Sequence, residues 1–303
     1  MNAFIKLIKN PFGVLEYILR KISILIKDDE FYLQCFYLLH QHKVLNLKNP
    51  QLFTEKIQWL KLYNRKALYQ TVVDKIEVKN YVKQIIGEKY IIPTLFVYND
   101  LKEIDLSKLP DQFVLKTNCG GGNNGVVVCT NKSKFNKKEA IKKLRVSLSY
   151  DIYKKTREWP YHDINKRIFS EVFMKDNECE DLIDYKFFCF NGKAEYCQVI
   201  ANRNHGETID FYDRNWNHQH LCGLNPFAKN ALQPLKKPSK YEEMLSIADK
   251  LSKISPFLRV DLYLINDEVY FGEMTFFPNS GVGRFTPKEW DFKLGKMLVL
   301  PKR

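Results

Sequence analysis

The chain has 303 residues, 45% hydrophobic and 27% charged, enough to bury a large core in two or three subdomains, and no apolar run approaches the ~18 residues of a membrane span. Its formal net charge of +13 points to anionic partners such as nucleotides, acidic glycans or lipid headgroups, but the lysines are spread along the chain without an RNP, KH, zinc-finger or helix-turn-helix signature, so nucleic acid is not expected. The seven cysteines are odd in number and form no CxxC pair, which gives a zinc site or a disulfide framework little support and fits reduced thiols in a cytoplasm.

Residues 1–70 read as helical. Phe4 to Lys9 and Val14 to Ile26 repeat apolar residues at three- and four-residue steps among basic ones. Such a helix lies on an anionic membrane surface or packs on the protein's own core. Lys6, Lys9 and Pro11 interrupt the N-terminus, and no small-residue cleavage pattern follows, so no secretory signal is expected. A further helix starts near Phe53, with Thr54 read as its cap.

A helix over 75–86 should stop at Gly87, with a strand around 91–97. Residues 113–117 and 126–129 read as strands on either side of Asn118-Cys-Gly-Gly-Gly-Asn-Asn-Gly125. A helix is expected over 136–149. Residues 184–200 read as a hairpin about Asn191-Gly192, a strong turn signal. The stretch 203–238 is polar, aromatic and proline-rich and reads as a substrate-side loop region. A helix over 241–252 leads into two apolar strands joined by Asn266-Asp267.

Those last strands carry Asp261 and Glu273 inside hydrophobic sequence. A buried carboxylate is costly to ionise unless it is paired or holds a metal. Paired as a hairpin, the strands would present both acids to one ion. Oxygen ligands of this kind suit Mg²⁺, which binds through one or two carboxylates plus nucleotide phosphates. The chain is therefore expected to be an enzyme that uses ATP.

The glycine loop sits between two strands, so it is neither a Walker loop nor a Rossmann fingerprint. It is either an ordinary hairpin loop or a flap offering backbone N–H groups to a triphosphate. Lys116, in the apolar run just before it, favours the flap. Lys186 likewise places charge in an aromatic strand; Lys75, before a helix, is a weaker signal alone. Cys119 reads as a small filler.

Taken in order, these segments resemble the ATP-grasp superfamily. The wording of Asp74-Lys-x-x-Val-Lys-x-Tyr-Val82, Leu109-Pro-Asp-Gln-Phe-Val-Leu-Lys116, Asp184-Tyr-Lys-Phe-Phe-Cys-Phe-Asn-Gly192 and Phe271-Gly-Glu-Met-Thr-Phe-Phe-Pro278 resembles its TupA-like branch, named for teichuronopeptide biosynthesis. The resemblance covers roughly residues 70–300. It implies an α+β ATP-grasp fold, two subdomains gripping ATP between sheets, behind an N-terminal helical extension (1–70). The implied parts are a linker subdomain (71–112), a glycine-loop lid (113–170) and a C-terminal subdomain with the metal and acceptor sites (171–303).

By the same resemblance, Lys75, Lys116 and Lys186 contact ATP, and Gly120, Gly121, Gly122 and Gly125 close over its phosphates. Glu171, Val172, Phe173 and Met174 read the adenine edge, and Asp181 sits at the ribose. Asp261, Glu273 and Thr275 hold Mg²⁺, Thr275 standing where an Asn is typical. Arg259 steadies an acyl phosphate, with Lys186 beside it.

The implied reaction is ATP-dependent ligation of a carboxylate to an amine. The expected partners are a nucleotide- or lipid-linked sugar bearing a carboxyl group and an amino acid or amine, in cell-surface polysaccharide assembly. The expected location is the cytoplasm, at its membrane face if the N-terminal helices touch the inner membrane. Arg203 to Phe227, with Tyr212, Trp216, His205, Arg214, His218 and His220, would supply sugar stacking and carboxylate binding, or is a plain surface loop. Alternatives are a glycosyltransferase, which would favour a DxD motif that is absent, a sugar kinase, or an inactive scaffold. Charges in apolar strands argue against the scaffold.

Overall fold

The computed structural model describes residues 11–120, 125–178, 181–203, 205–224 and 229–302. Helices α1 (Pro11–Ile22), α2 (Asp29–Gln41) and α3 (Phe53–Tyr63) open the chain. The expected helix at Phe4–Lys9 lies outside the described residues. Asp28 caps α2 by accepting from the backbone N–H groups of Glu30 and Phe31. Thr54 is not the cap of α3: Glu55 Oε2 accepts from the Gln51 and Leu52 N–H groups, while Thr54 lies inside the helix and binds Asp291. A polar residue close to a helix start reads as a cap whether its partner is local or distant.

After α4 (Ala67–Val73), helix α5 (Glu77–Ile86) stops at Gly87, whose φ of +103° suits glycine. Strands β1 (Thr94–Tyr98), β2 (Phe113–Thr117), β3 (Val126–Cys129) and β4 (Ile168–Val172) form an antiparallel sheet in the order β1-β4-β2-β3. Helix α6 (Lys137–Ser149), capped by Asn136, packs on β2 and β3. Phe113, Leu115, Leu144 and Ile168 are part of the core of this layer. A short helix, α7 (Ile152–Thr156), follows α6.

The larger sheet has six antiparallel strands. They are β5 (Asp184–Phe190), β6 (Lys193–Ala201), β7 (Thr208–Asp213), β8 (His218–Gln219), β10 (Phe257–Ile265) and β11 (Glu268–Thr275), in the order β11-β10-β5-β6-β7-β8. β9 (Cys222–Gly223) pairs with β12 (Phe285–Thr286). Helix α8 (Tyr241–Ser252) covers β5, β6 and β10, and α9 (Glu289–Met297) packs on α3. Tyr32, Phe36, Phe53 and Ile57 of the opening helices share one core with Phe187, Phe257 and Leu258 of this sheet. Each such aromatic stabilises the fold by about 1.5–3 kcal/mol when withdrawn from water.

The two expected hairpins of this sheet, β5–β6 and β10–β11, turn as their sequences require. Asn191 and Gly192 have φ of 51° and 84°, and Asn266 and Asp267 of 51° and 61°, the positive pair that two-residue turns need. The stretch 203–238 is corrected. It contributes the full strand β7, with Ile209, Phe211 and Tyr212 buried. Its alternation was obscured by Asp210, which is buried and accepts hydrogen bonds from the Ala231 N–H while lying 2.9 Å from His218 Nε2. Among the described residues no helix is long and apolar enough to cross a membrane.

Candidate active site

Three neighbouring strands meet at Asp261. Its register partners are Glu273 on β11 and Lys186 on β5, and Arg259 stands opposite Thr275. Opposed residues of antiparallel strands share a face, so these five side chains form one polar array. Immediately beyond Asp261 the pairing slips by one, leaving Gly272 extra on β11. A bulge of this kind re-aims side chains. A Cβ on Gly272 would lie 2.9 Å from Tyr263 Cε2 and 3.1 Å from the Asp261 carbonyl oxygen, tighter than an unshifted neighbour accepts.

Asp261 is 2% exposed. Arg259 grips it with two arms, Nε to Oδ1 and Nη2 to Oδ2, both 2.7 Å. Lys186 Nζ donates to the same Oδ2 at 2.5 Å and to Asp184 Oδ1 at 3.0 Å. Arg203 then closes on Asp184, with Nε 2.9 Å from Oδ2, and Arg259 Nη2 donates to Thr275 Oγ1 at 3.0 Å. Charges thus alternate along the sheet face. Asp184 and Arg203 were missed as site residues. Asp184 stands two residues before Lys186 and so on its face, a signal the sequence carried.

Glu273 joins this array to the glycine loop. Its Oε1 accepts from Lys75 Nζ at 3.0 Å, and the same ammonium donates to the Gly120 carbonyl oxygen at 2.5 Å. Lys75 is held there by Asp74. One Asp74 oxygen accepts from the Ile76 and Glu77 N–H groups at the head of α5, while the other accepts from Asn118 Nδ2 at 2.7 Å. The Lys75 N–H donates in turn to the Asn118 carbonyl. The Asp-Lys pair therefore locks the loop's root to the two-carboxylate strands. At the loop's far end Gly125 has a φ of +81°, and a Cβ there would run into Thr117 and Ser147. Gly121 and Gly122 lie outside the described residues.

Lys116 belongs to the other sheet. It pairs with Glu171 on β4, which also takes Lys79 Nζ at 2.6 Å. Lys79, on α5, was missed. It reads as one more helical lysine, yet it is half-buried against Ile92 and Thr94, donating to the first's carbonyl and the second's hydroxyl. Val172 ends β4, and its N–H donates to the Pro93 carbonyl. Phe173, Met174 and Asp181 fall on the connection between the two sheets.

Burial raises the pKa of both Asp261 and Glu171, but their cationic neighbours outweigh it. Arg259 and Lys186 hold Asp261 low, and Lys116 and Lys79 hold Glu171 low. For depressed carboxylates the sign is fixed: their contribution is complete above the unfolded range of about 4 and is lost as pH falls through the folded values. Stability to urea is therefore expected to hold flat from pH 7 to about 5 and to drop below about 4. A midpoint unchanged down to pH 3 would show that the pairs contribute nothing.

The donor set suits a hard divalent cation. Asp261 and Glu273 stand side by side, and Glu273 Oε2 accepts no hydrogen bond among the described residues. No cluster of three or more His, Cys, Asp and Glu occurs among those residues, so the remaining ligands would be phosphate oxygens and water, the usual habit of Mg²⁺.

The two readings of 203–227, a sugar platform or a plain surface loop, both give way at Tyr212, Arg214, Trp216 and His218. Tyr212 stacks on Trp216 (centroids 4.1 Å, 8°), its hydroxyl accepts from the Leu235 N–H, and the indole N–H donates to the Leu235 carbonyl. Arg214 is paired with Asp249 and His218 with Asp210. These groups build β7 and its surroundings.

A family model described as TupA-like ATPgrasp matches residues 55–299. No curated protein matches the sequence significantly. Among solved structures, the D-alanine–D-alanine ligase of Helicobacter pylori is 18% identical over 82% of this chain and 69% of its own, with a TM-score of 0.43. The D-alanine–D-alanine ligase of Bacillus anthracis is 18% identical over 68% of this chain, with a TM-score of 0.40, and only 57% of that ligase is covered. The ATP-grasp ligase PsnB is 8% identical over 81% of this chain and 65% of its own, with a TM-score of 0.44.

Proposed function

Because this chain belongs to the TupA-like ATP-grasp family, we propose that it is an ATP-dependent carboxylate–amine ligase working through an acyl phosphate. Membership carries the ATP-grasp fold and the pairing of ATP with Mg²⁺ that the ordered motifs implied. The reading rests above all on the meeting of Lys75, Gly120 and Glu273 at 2.5 and 3.0 Å, with Asp261 opposite Glu273.

Mg²⁺–ATP supplies the γ-phosphoryl group and offsets its charge. Asp261 and Glu273 would hold the cation, with the Thr275 hydroxyl beside them. Lys75, Lys116 and the amides between Gly120 and Gly125 orient the phosphates. Glu171 to Met174 border the adenine, and Asp181 the ribose. Arg259, already extended along the array, neutralises the acyl phosphate from which an amine displaces phosphate, and Lys186 keeps Asp261 ionised. Such catalysis is positioning and charge neutralisation and needs no protein nucleophile.

The substrates we propose are a sugar bearing a carboxyl group, carried on a nucleotide or lipid, and an amino acid or amine, in cell-surface polysaccharide assembly. The net charge of +13 supports an anionic acceptor. Purified protein with Mg²⁺–ATP is expected to release ADP and phosphate only when both a sugar acid and an amine are present. ADP without free phosphate would replace the ligase by a kinase, release of a nucleotide from a nucleotide sugar by a glycosyltransferase, and silence by a scaffold.

We also place the protein at the inner face of the membrane through α1. That helix buries Leu19 in the core and leaves Leu15 (51%), Ile18 (46%) and Ile22 (41%) exposed on one side, with Lys21 nearby. An apolar stripe edged by lysine suits an anionic interface. Wild type is expected to sediment with phosphatidylglycerol vesicles and Leu15→Glu/Ile22→Glu to stay in the supernatant; equal partition would remove the contact.

A further inference from the structure

With Tyr212 and Trp216 packed on each other and on Leu235, a second surface is a candidate for the acceptor's contacts. Beside the root of the glycine loop lies a cavity of about 250 Å³, whose walls include Cys119, Tyr150, Tyr153, Tyr161, His162 and Lys166. Drug-sized sites run to roughly 300–1,000 Å³, so this space suits one ring and its substituents and not a nucleotide.

The cavity borders the array already described. Cys119 immediately precedes Gly120, whose carbonyl oxygen is bound by Lys75. Tyr161 lies within electrostatic reach of Glu273, Glu158 and Arg259. Burial first, and then the acids, push its hydroxyl pKa well up, so it stays a neutral donor.

Its walls are also preset. Tyr153 donates to Asp29, 3.0 and 3.2 Å from the two oxygens, and meets the His162 ring edge-on at 4.6 Å. Lys166 Nζ donates to the carbonyl oxygens of Leu148 at 2.6 Å and Tyr150 at 2.9 Å. Two acids also line the cavity: Asp151 is taken by Lys154 at 2.9 Å and Asp163 by His162 at 2.7 Å, and Lys166, within electrostatic reach of Asp151, forms no ion pair among the described residues. An ammonium fixed by neutral oxygens alone is a ready partner for an anion. Aromatic side chains offer an apolar face and a polar edge, the combination a sugar ring presents in return.

We propose that this cavity is the acceptor subsite and takes one sugar ring carrying an anionic group, with Lys166 on the anion and the tyrosines against the ring. This deepens the ligase reading and rests on it for the cavity's place beside the reacting carboxylate.

The test is calorimetric titration of the full chain, with Mg²⁺ and a non-hydrolysable ATP analogue present, using glucuronic acid, glucose 1-phosphate and glucose. At least one anionic sugar is expected to bind roughly ten-fold or more tighter than glucose. The tighter of the two identifies the anion as carboxylate or as the phosphate of a carrier. Lys166→Gln is expected to erase that preference while nucleotide affinity stays unchanged. Should that variant not fold, Tyr150→Ala, on a ring already 43% exposed, is expected to weaken binding of the same sugar several-fold. Equal binding of all three sugars, or an undiminished preference in the folded variant, overturns the subsite. Turnover that survives such a result leaves the ligase standing, whereas sugar-acid binding without phosphate release removes the ligase alone.

Discussion

Glu273→Gln is expected to lower ADP and phosphate release by roughly 10²–10³-fold, the usual cost of removing one group that stabilises transition-state charge, while the melting temperature stays within about 2 °C of wild type. The two halves of this expectation have different causes. Glu273 makes a single ion pair, with Lys75, and its side chain is 26% exposed. Pairs of that kind contribute about 0–1 kcal/mol to stability, and a glutamine oxygen still accepts from Lys75. What glutamine cannot supply is the negative charge facing Asp261 that a divalent cation needs. Steady-state assays and calorimetric melting read the two halves separately. Normal turnover in the variant would remove Glu273 from any metal site, and a fall in stability with no effect on rate would make it structural.

The fold was legible where local chemistry and long-range packing agree. Asn191-Gly192 and Asn266-Asp267 announced hairpins because few residues adopt two successive positive φ angles, and α8 ends where its apolar periodicity ends. The site was legible through misplaced charge. Asp261, Lys186 and Lys116 interrupt apolar strands, and the structure puts Asp261 and Lys186 face to face. The same rule explains what was lost. Lys79 and Arg203 do their work through distant partners, Glu171 and Asp184, and a lysine on a helix or an arginine in a polar stretch looks solvated until its partner is seen. β7 was misread for the related reason that its Asp210 finds its hydrogen bonds outside the strand. Charge in an apolar run also proved ambiguous as a sign of catalysis. Lys75, Lys116 and Lys186 each pair with a carboxylate of this chain, so residues expected to contact ATP also tie adjacent strands together or, for Lys75, the loop's root to β11.

That double role is sharpest at Asp261, where Asp261→Asn is expected to differ from Glu273→Gln in kind. Asp261 is almost completely buried and balances Arg259 and Lys186 at once. An asparagine there keeps the shape, but it turns a donor toward two cations and leaves Lys186 with Asp184, and Arg259 with the more distant Glu273 and Asp184, as counter-charges. Breaking a buried pair by neutralising one partner costs about 3–5 kcal/mol, and the melting temperature should fall by roughly 10 °C. If the loss is the stranded charge, removing a cation should relieve it: Asp261→Asn/Lys186→Met is expected to recover about half of the lost stability, a coupling that residues sharing one network show. Catalysis should not return with it. Mg²⁺–ATP should raise the melting temperature of wild type through binding to the native state and leave that of the double variant where it was. A double variant no more stable than the single one would mean that Asp261 contributes through its hydrogen-bond geometry instead. One that again responds to Mg²⁺–ATP would place the cation elsewhere on the sheet.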